Sequence, residues 1–479
     1  MLLVKRKLTI NYIFNLSYQI LVIVLPLITT PYISRVLGPD GVGTYSYTTS
    51  ITTYFILFGC IGLNLYGQRE VAYHQNNSDK RSQSFFEILL LKICTMSISI
   101  FFFAFTIQIM NQYKILFYIQ IIDLIANMLD ITYFYQGIED FKKIVIRNVL
   151  VKIIGIICIF TFVKTKADLP LYALIYSLSL LLGNLSMWLT INKYIHFIPV
   201  HRLHIKKHIR PTLVLFFPQI AISIYTVLDR FMIGIITNNT IQIGYYEQAQ
   251  KIVKLALTLV TSLSTVMLPR IAHLYVQNDQ KKIVQYTKTS LRYTFIIAFP
   301  IMFGLMGISS NLIPWFLGEE FMNSSQILMI TSPIVVFMGI SNIIGFQYLI
   351  PTQRQKIYTI STIIGSIVNL ILNCLLIPIF LSAGAAIASV TAELGVSIFQ
   401  LYCIRKEVNF IEVLKQSKLY IISSIIMFIC IYFLSQYLVS TVITTFLLIF
   451  IGSSLYFGLL IILKDDLVIN TLTRFFKGR

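Results

Sequence analysis

The sequence predicts an all-α polytopic membrane protein of about fourteen transmembrane helices, arranged as two parallel-repeat lobes of six helices and a final pair. Three observations predict it. Of 479 residues, 57% are hydrophobic and 12% charged, and the mean hydropathy of +0.79 is too high for a soluble chain of this length. The apolar residues gather into runs near the ~20-residue length that crosses a bilayer. The basic residues sort into alternate connectors between those runs.

The runs fall at about 10–33, 44–66, 86–109, 115–136, 144–163 and 169–191, and after a polar connector at about 212–237, 248–269, 292–316, 326–349, 357–378, 383–403, 418–438 and 441–463. The first follows Lys5, Arg6 and Lys7. It is too long for the apolar core of a signal peptide and lacks a small-residue cleavage site, so it reads as a span.

Cytoplasmic loops are enriched in lysine and arginine, which makes the sorting of charge a test of the helix count. One side carries Lys5–Lys7, Arg69, Lys80, Arg81, Lys142, Lys143, Arg147 and the connector around 193–210. In the second half it carries Arg270, Lys281, Lys282, Lys288, Arg292, Arg354, Lys356, Arg405, Lys406, Lys415, Lys418, Lys464, Arg474, Lys477 and Arg479. The other side has only Arg35, Lys114, Lys164 and Lys166. Both termini are therefore expected in the cytoplasm, with an even number of spans.

Composition also argues against other classes. The net charge of +19 sits in short connectors with no aromatic and basic domain beside them, against nucleic acid as a partner. Six cysteines, scattered singly through apolar runs, have neither metal-ligand spacing nor the look of a disulfide framework. No phosphate-binding GxxxxGK[ST] loop is present, against direct use of ATP. Neither a cofactor nor a metal is expected.

The chain is organised around Leu25–Tyr47. Pro26 and Pro31 bend the first helix. Arg35 lies near the membrane boundary, as an interfacial anchor or facing a wet cavity. Gly38, Pro39, Gly41 and Gly43 are expected to break the helix before the second span begins.

The same plan returns about 200 residues later. Pro218 stands where Pro26 did, Arg230 sits on the seventh helix, and Gly244-Tyr245-Tyr246 repeats Gly43-Thr44-Tyr45. The second span ends in Arg69-Glu70-Val71-Ala72 and the eighth in Pro269-Arg270-Ile271-Ala272. Duplicated lobes that both begin in the cytoplasm form a parallel repeat, an architecture of transporters. The divisions are 1–192 for the N-lobe, 193–211 for a cytoplasmic basic linker, 212–403 for the C-lobe and 404–479 for the last helices and tail. The linker combines His196, His201, His204 and His208 with Lys193, Arg202, Lys206, Lys207 and Arg210. It reads as a pH or headgroup sensor or, as favoured here, a basic segment on anionic headgroups.

Ionisable groups inside spans are costly and are functional candidates by default. The basic ones are Lys92, Lys152, Arg230, Lys251 and Lys254, and the acidic ones Asp123, Asp130, Asp229, Glu247 and Glu393. Glu247 and Lys251 are four apart and can pair, leaving Lys254 one turn on as the better cargo contact. Asp229 and Arg230 point about 100° apart and cannot simply neutralise one another. Lys92 is expected to snorkel, and Lys152 could meet Asp123 or Asp130. Should both lobes give cations to one cavity, its natural ligand is an anion such as pyrophosphate. Tyr32, Tyr45, Tyr225 and Tyr245 could stack on sugars, although interfacial anchoring is the commoner role of tyrosine in membranes.

Arg35, Leu37-Gly38-Pro39-Asp40-Gly41-Val42-Gly43 and Tyr45 resemble the opening signature of bacterial Wzx-type polysaccharide flippases. These belong to the superfamily that also holds multidrug extruders and the peptidoglycan-precursor flippase. Gly67-Gln68-Arg69-Glu70-Val71-Ala72, Tyr135-Gln136-Gly137-Ile138-Glu139-Asp140-Phe141, Asp229-Arg230-Phe231-Met232-Ile233-Gly234 and Leu268-Pro269-Arg270 extend the resemblance along the chain.

The resemblance implies a transporter of the bacterial cell membrane that moves an undecaprenyl-diphosphate-linked oligosaccharide from the inner to the outer leaflet by alternating access. The headgroup would sit in a cationic cavity of Arg35, Arg230, Lys251, Lys254 and Lys152, with Asp123, Asp130 and Glu393 as ion-coupling candidates. Membrane lipids, a polymerase and glycosyltransferases would be its partners, and it would act as a monomer. One alternative is a cation-coupled drug extruder, disfavoured because the first helix has no acidic residue. The other is a membrane polymerase or glycosyltransferase, whose external loops here offer little beyond Glu319 and Glu320.

Overall fold

A computed structural model describes the backbone of residues 2–110 and 112–469, and side chains over 25–469 apart from those at 111, 200, 217–219, 221, 222, 224, 225 and 265. The side chains of Lys5, Arg6, Lys7, Pro218 and Tyr225, and the residues Arg474, Lys477 and Arg479, lie outside what is described. The described chain is helical, without strands.

The helices are α1 (Leu2–Cys60), α2 (Leu63–Tyr73), α3 (Ser78–Ile109), α4 (Lys114–Met128), α5 (Thr132–Gly137), α6 (Phe141–Phe162), α7 (Leu169–Trp188) and α8 (Ile209–Thr237). They continue with α9 (Thr240–Val276), α10 (Gln280–Leu317), α11 (Asn323–Thr331), α12 (Ile334–Ser341), α13 (Gln355–Ile404), α14 (Phe410–Gln416), α15 (Lys418–Tyr437) and α16 (Val442–Ile462), with a π-helical segment at Asn342–Leu349.

Among the described residues, eleven helical segments are long and apolar enough to cross a membrane. Fourteen were expected from the whole sequence. Two of the segments, Leu25–Tyr73 and Gln355–Ile404, hold 49 and 50 residues, far beyond one crossing. Each is interrupted. Gly38 leaves the helix at φ 66, ψ 178, a conformation open essentially to glycine alone. Leu381 leaves it at φ 54, ψ −130, three residues after Pro378. Helix α8, of 29 residues, includes side chains outside the described residues and is not among the eleven. The break near Gly38 is also narrower than the sequence suggested. Pro39, Gly41 and Gly43 already belong to the next helix, with Pro39 at the first-turn position that needs no N–H donor.

The chain forms two compact units, Met1–Phe231 and Met232–Arg479. In the first, an aromatic core of Phe85, Tyr133, Phe134 and Tyr135 packs with Leu63 and Val71 from α2. Two signature glycines permit this. A Cβ on Gly67 would lie 2.5 Å from the Tyr133 ring, and one on Gly137 would lie 2.7 Å from Val71 Cβ and 2.9 Å from the Gln68 carbonyl oxygen.

The linker is ordered on the first unit. Its centre is Glu87, fully buried near the start of α3, whose Oε2 lies 2.7 Å from His208 Nε2 and 2.8 Å from Lys207 Nζ. Its Oε1 accepts from the His204 N–H at 2.7 Å and Gln83 Nε2 at 2.9 Å. His208 is fully buried and its Nδ1 lies 2.6 Å from the Tyr66 hydroxyl. A carboxylate this deep would carry a large desolvation cost without these donors. The linker is thus held by its own polar contacts, whatever lipid its exposed Lys193, Arg202, Lys206 and Arg210 meet.

The second unit is tied at its polar ends by ion pairs. Arg292 Nη2 reaches Asp466 Oδ1 at 2.9 Å, Lys288 reaches Glu412 at 2.6 Å and Arg354 reaches Glu407 at 2.7 Å. Burial opposes charge on Glu407, but donation from Arg354 and from the Tyr348 hydroxyl outweighs it and holds the carboxyl below its ordinary range.

Three outcomes follow from this packing. Gly137→Ala should lower stability by about 1–3 kcal/mol through overpacking. Gly395→Ala, whose added Cβ meets nothing within 4 Å, should not; thermal unfolding in detergent compares them. Glu87→Gln removes the charge that gathers the linker and should weaken its docking by about 3 kcal/mol or more, seen as faster tryptic cleavage at Lys206 and Lys207. Because the folded value of Glu407 is depressed, its contribution is present above the unfolded carboxyl value of about 4.3 and is lost as pH falls through the lower folded value. Wild type and Glu407→Gln should therefore differ by up to about 1 kcal/mol at neutral pH, the pair being partly exposed, and converge in acid, measured by thermal unfolding across pH.

Candidate functional site

The membrane-embedded charges divide between the two units. In the first, Arg35 is exposed on α1 one turn before Gly38, Lys152 is half-buried on α6, and Arg230 is half-buried on α8. One Arg230 Nη2 bond, of 3.3 Å, goes to the carbonyl of Thr226 in its own helix, and the guanidinium lies within electrostatic reach of the Tyr54 hydroxyl on α1. Its neighbour Asp229 is buried, as two adjacent side chains about 100° apart on a helix allow.

In the second unit Lys251 Nζ stands 3.8 Å from Glu247 Oε1, the four-residue pair expected from the sequence. Lys254 is exposed one turn on and makes no ion pair among the described residues.

Lys92 overturns its expectation. Rather than snorkelling, it is fully buried, donating from Nζ to Asn64 Oδ1 at 3.0 Å and to the Asp130 carbonyl at 2.8 Å, with the Tyr133 ring centroid 5.8 Å away. Carbonyl dipoles and an aromatic face replace water around the ammonium.

The three acidic candidates have different surroundings. The Asp130 Oδ1 accepts from the Thr132 N–H at 2.9 Å and from the Thr132 hydroxyl, a turn-capping role. Glu393 is buried on α13. Asp123 is 6% exposed on α4, and the Ser177 hydroxyl lies beside its carboxyl.

The second half of α1, from Thr44 to Tyr54, carries a hydroxyl at every position but Ile51. Gln120 of α4, fully buried, donates to Thr48 Oγ1 at 2.9 Å and accepts from Thr52 Oγ1 at 2.7 Å. Tyr45 packs edge-on against Tyr172, with 4.9 Å between centroids. Tyr32 is engaged otherwise, donating to the Val163 carbonyl at 2.6 Å and packing on Phe160. Tyr245 packs edge-on against Phe321 at 6.2 Å.

Two features of the second unit went unread in the sequence. A polar cluster joins α9 and α13: Gln250 donates to the Tyr246 hydroxyl at 2.8 Å, Tyr246 lies 3.0 Å from Ser389 Oγ, and Ser382 donates to Gln242 at 2.6 Å. Asn373 reaches Asn369 at 3.1 Å within α13, and the four-residue spacing of these amides in an apolar run was its only sequence signal. The other is an apolar cavity of about 410 Å³ lined by Ile296, Pro300 and Gly304 of α10, Met427 of α15 and Tyr456 of α16.

The MatE family model matches residues 215–375. Among curated proteins, the chain is 25% identical over 386 residues to a protein of Escherichia coli (strain K12) named an O-antigen transporter, covering 80% of this chain and 92% of that one. It is 26% identical over 165 residues to the low-salt glycan biosynthesis flippase Agl15 of Haloferax volcanii, 34% of each chain. Among solved structures, the lipid II flippase MurJ in an inward closed conformation superposes with a TM-score of 0.74 at 18% identity, over 95% of this chain and all of that one, which shows a shared fold. A model described as polysaccharide biosynthesis protein matches residues 8–275, more than half of the chain, and the chain belongs to that family.

Proposed function

We propose that the protein is a flippase that carries an undecaprenyl-diphosphate-linked oligosaccharide repeat unit from the cytoplasmic to the outer leaflet for surface polysaccharide assembly. The relatives support the class, since those of known name are transporters and flippases rather than enzymes. The observation that carries the choice of cargo is Lys254, a cation in a spanning helix that is exposed and unpaired by any acid among the described residues. A cation kept there at a cost of several kcal/mol needs a ligand of opposite charge.

Arg35, Lys152 and Arg230 from the first unit and Lys251 and Lys254 from the second are the groups we assign to the headgroup. Arginine offers a two-pronged grip on a phosphate, and lysine a movable point charge. The sorting of basic residues supports cytoplasmic termini, and with them loading of the headgroup from the side where a lipid-linked sugar is made. The sugar chain meets tyrosines such as Tyr45, and the polyprenyl tail stays in lipid.

Arg230→Ala and Lys254→Ala should each reduce surface polymer by about tenfold or more, the scale of losing one hydrogen bond to a charged group. The measurement is complementation of a strain lacking its own flippase, with polymer quantified at the surface. Unchanged export with altered dye efflux would indicate a drug extruder instead, and single repeat units accumulating outside in a deletion strain would indicate a polymerase.

A further inference from the structure

We propose that Asn342–Leu349 is a register switch of the second unit, rewinding from a π-helix to an α-helix when the polar latch at its end opens.

The winding is unusual. A π-helix closes each hydrogen bond on the fifth residue, as the Ile350 N–H does on the Gly345 carbonyl at 3.2 Å, and such winding is rare and mostly confined to single turns. Here it runs over eight residues, in the most buried of the eleven candidate spans. Nothing local explains it, since the segment NIIGFQYL has one glycine and no proline. Backbone in a sparsely populated form persists only where its surroundings hold it.

Contacts from other elements do the holding. Gln347, fully buried, donates from Nε2 to Ser290 Oγ of α10 at 2.9 Å. Gly345 lets the Tyr358 ring of α13 come close, because a Cβ there would lie 2.6 Å from its Cδ2. The latch follows. Tyr348, also fully buried, donates its hydroxyl to Glu407 Oε2, and Arg354 Nη1 donates to Glu407 Oε1 at 2.7 Å. The Arg354 N–H returns to the Leu349 carbonyl at 2.8 Å, again across five residues, and Gln280 at the start of α10 donates to the Tyr348 hydroxyl at 3.4 Å. The end of the segment is thus tied to α10 and to the chain just beyond α13.

A change of winding would exchange which side chains face α10. Each π turn holds about one residue more than an α turn. Counted from Ser341, α winding gives Phe346 the direction that Gln347 has now and swings Gln347 about 100° away from Ser290. Phe346 is exposed and Gln347 fully buried, so the two registers are distinct packings.

The corresponding span of the first unit, the fourth of each repeat, is irregular at the same end. There α4 stops at Met128, Asp130 caps the turn and α5 restarts at Thr132. It too is followed by a five-residue bond, from the Asp140 N–H to the Tyr135 carbonyl at 2.9 Å. One copy meets the misfit with a capped break, which is fixed in place. The other meets it with extra winding, which a helix can release.

The test is amide hydrogen exchange, read by mass spectrometry at single-residue resolution on the full-length protein in lipid nanodiscs without cargo. Tyr348→Phe and Glu407→Ala each open the latch. The switch predicts that amides from 343 to 350 exchange about tenfold more slowly in both variants than in wild type, as α bonds replace π bonds. A latch that merely pins a helix end predicts the reverse, so unchanged or faster exchange overturns the switch. Thermal unfolding checks that both variants are folded. Deletion of Ile343, which removes a surplus residue and leaves the latch intact, gives the same reading independently of them: slow exchange supports the switch and unchanged or faster exchange overturns it. Because no cargo is present, either result leaves the flippase reading untouched.

Discussion

The constraint on which the rest depends is that a bilayer offers no hydrogen bonds, so every polar group carried into it must find a partner in the protein. The hydroxyl-rich half of α1 meets it by bonding to Gln120, the amides of α13 by bonding to one another, and Lys92 by recruiting the carbonyl of Asp130. Against that background, the few polar groups left over carry information. Lys254 is one of them, a cation in an apolar helix with no ion pair among the described residues.

Helix breaks are positioned by the same logic. Backbone groups freed at Gly38 and Leu381 sit where a proline is adjacent or three residues back, and each break divides a run too long for one crossing. Close helix contact is bought by glycine at Gly67 and Gly137, where any side chain would strike Tyr133 or Val71. Two of the segments that resemble a flippase signature, around Gly67 and Gly137, are places where helices of the first unit touch.

Much of the fold was legible because apolar run length and loop charge are properties of the bilayer, not of the particular protein. The pairing of Glu247 with Lys251 was legible because both lie on one helix face. What could not be read were contacts between elements distant in sequence. Nothing local marks Glu87 as the acid that gathers a linker more than a hundred residues away, since the linker itself has no acidic residue to pair with. Lys92 was misread because its position near a span's start suggested water, whereas the turn at Asp130 folds over it. Of the candidate site, the identity of the charges came from sequence, but the burial of Asp123 appeared only once α1 and α7 were packed around it.

The central claim is that cations carried on membrane helices convey an anionic, lipid-linked headgroup across the bilayer. The most direct measurement is transbilayer movement of a fluorescent polyprenyl-diphosphate sugar in liposomes containing the purified protein, followed by a quencher that cannot cross. The account predicts movement faster than in protein-free liposomes for the diphosphate and not for a neutral polyprenyl glycoside of the same length. Equal rates for the two lipids would contradict it.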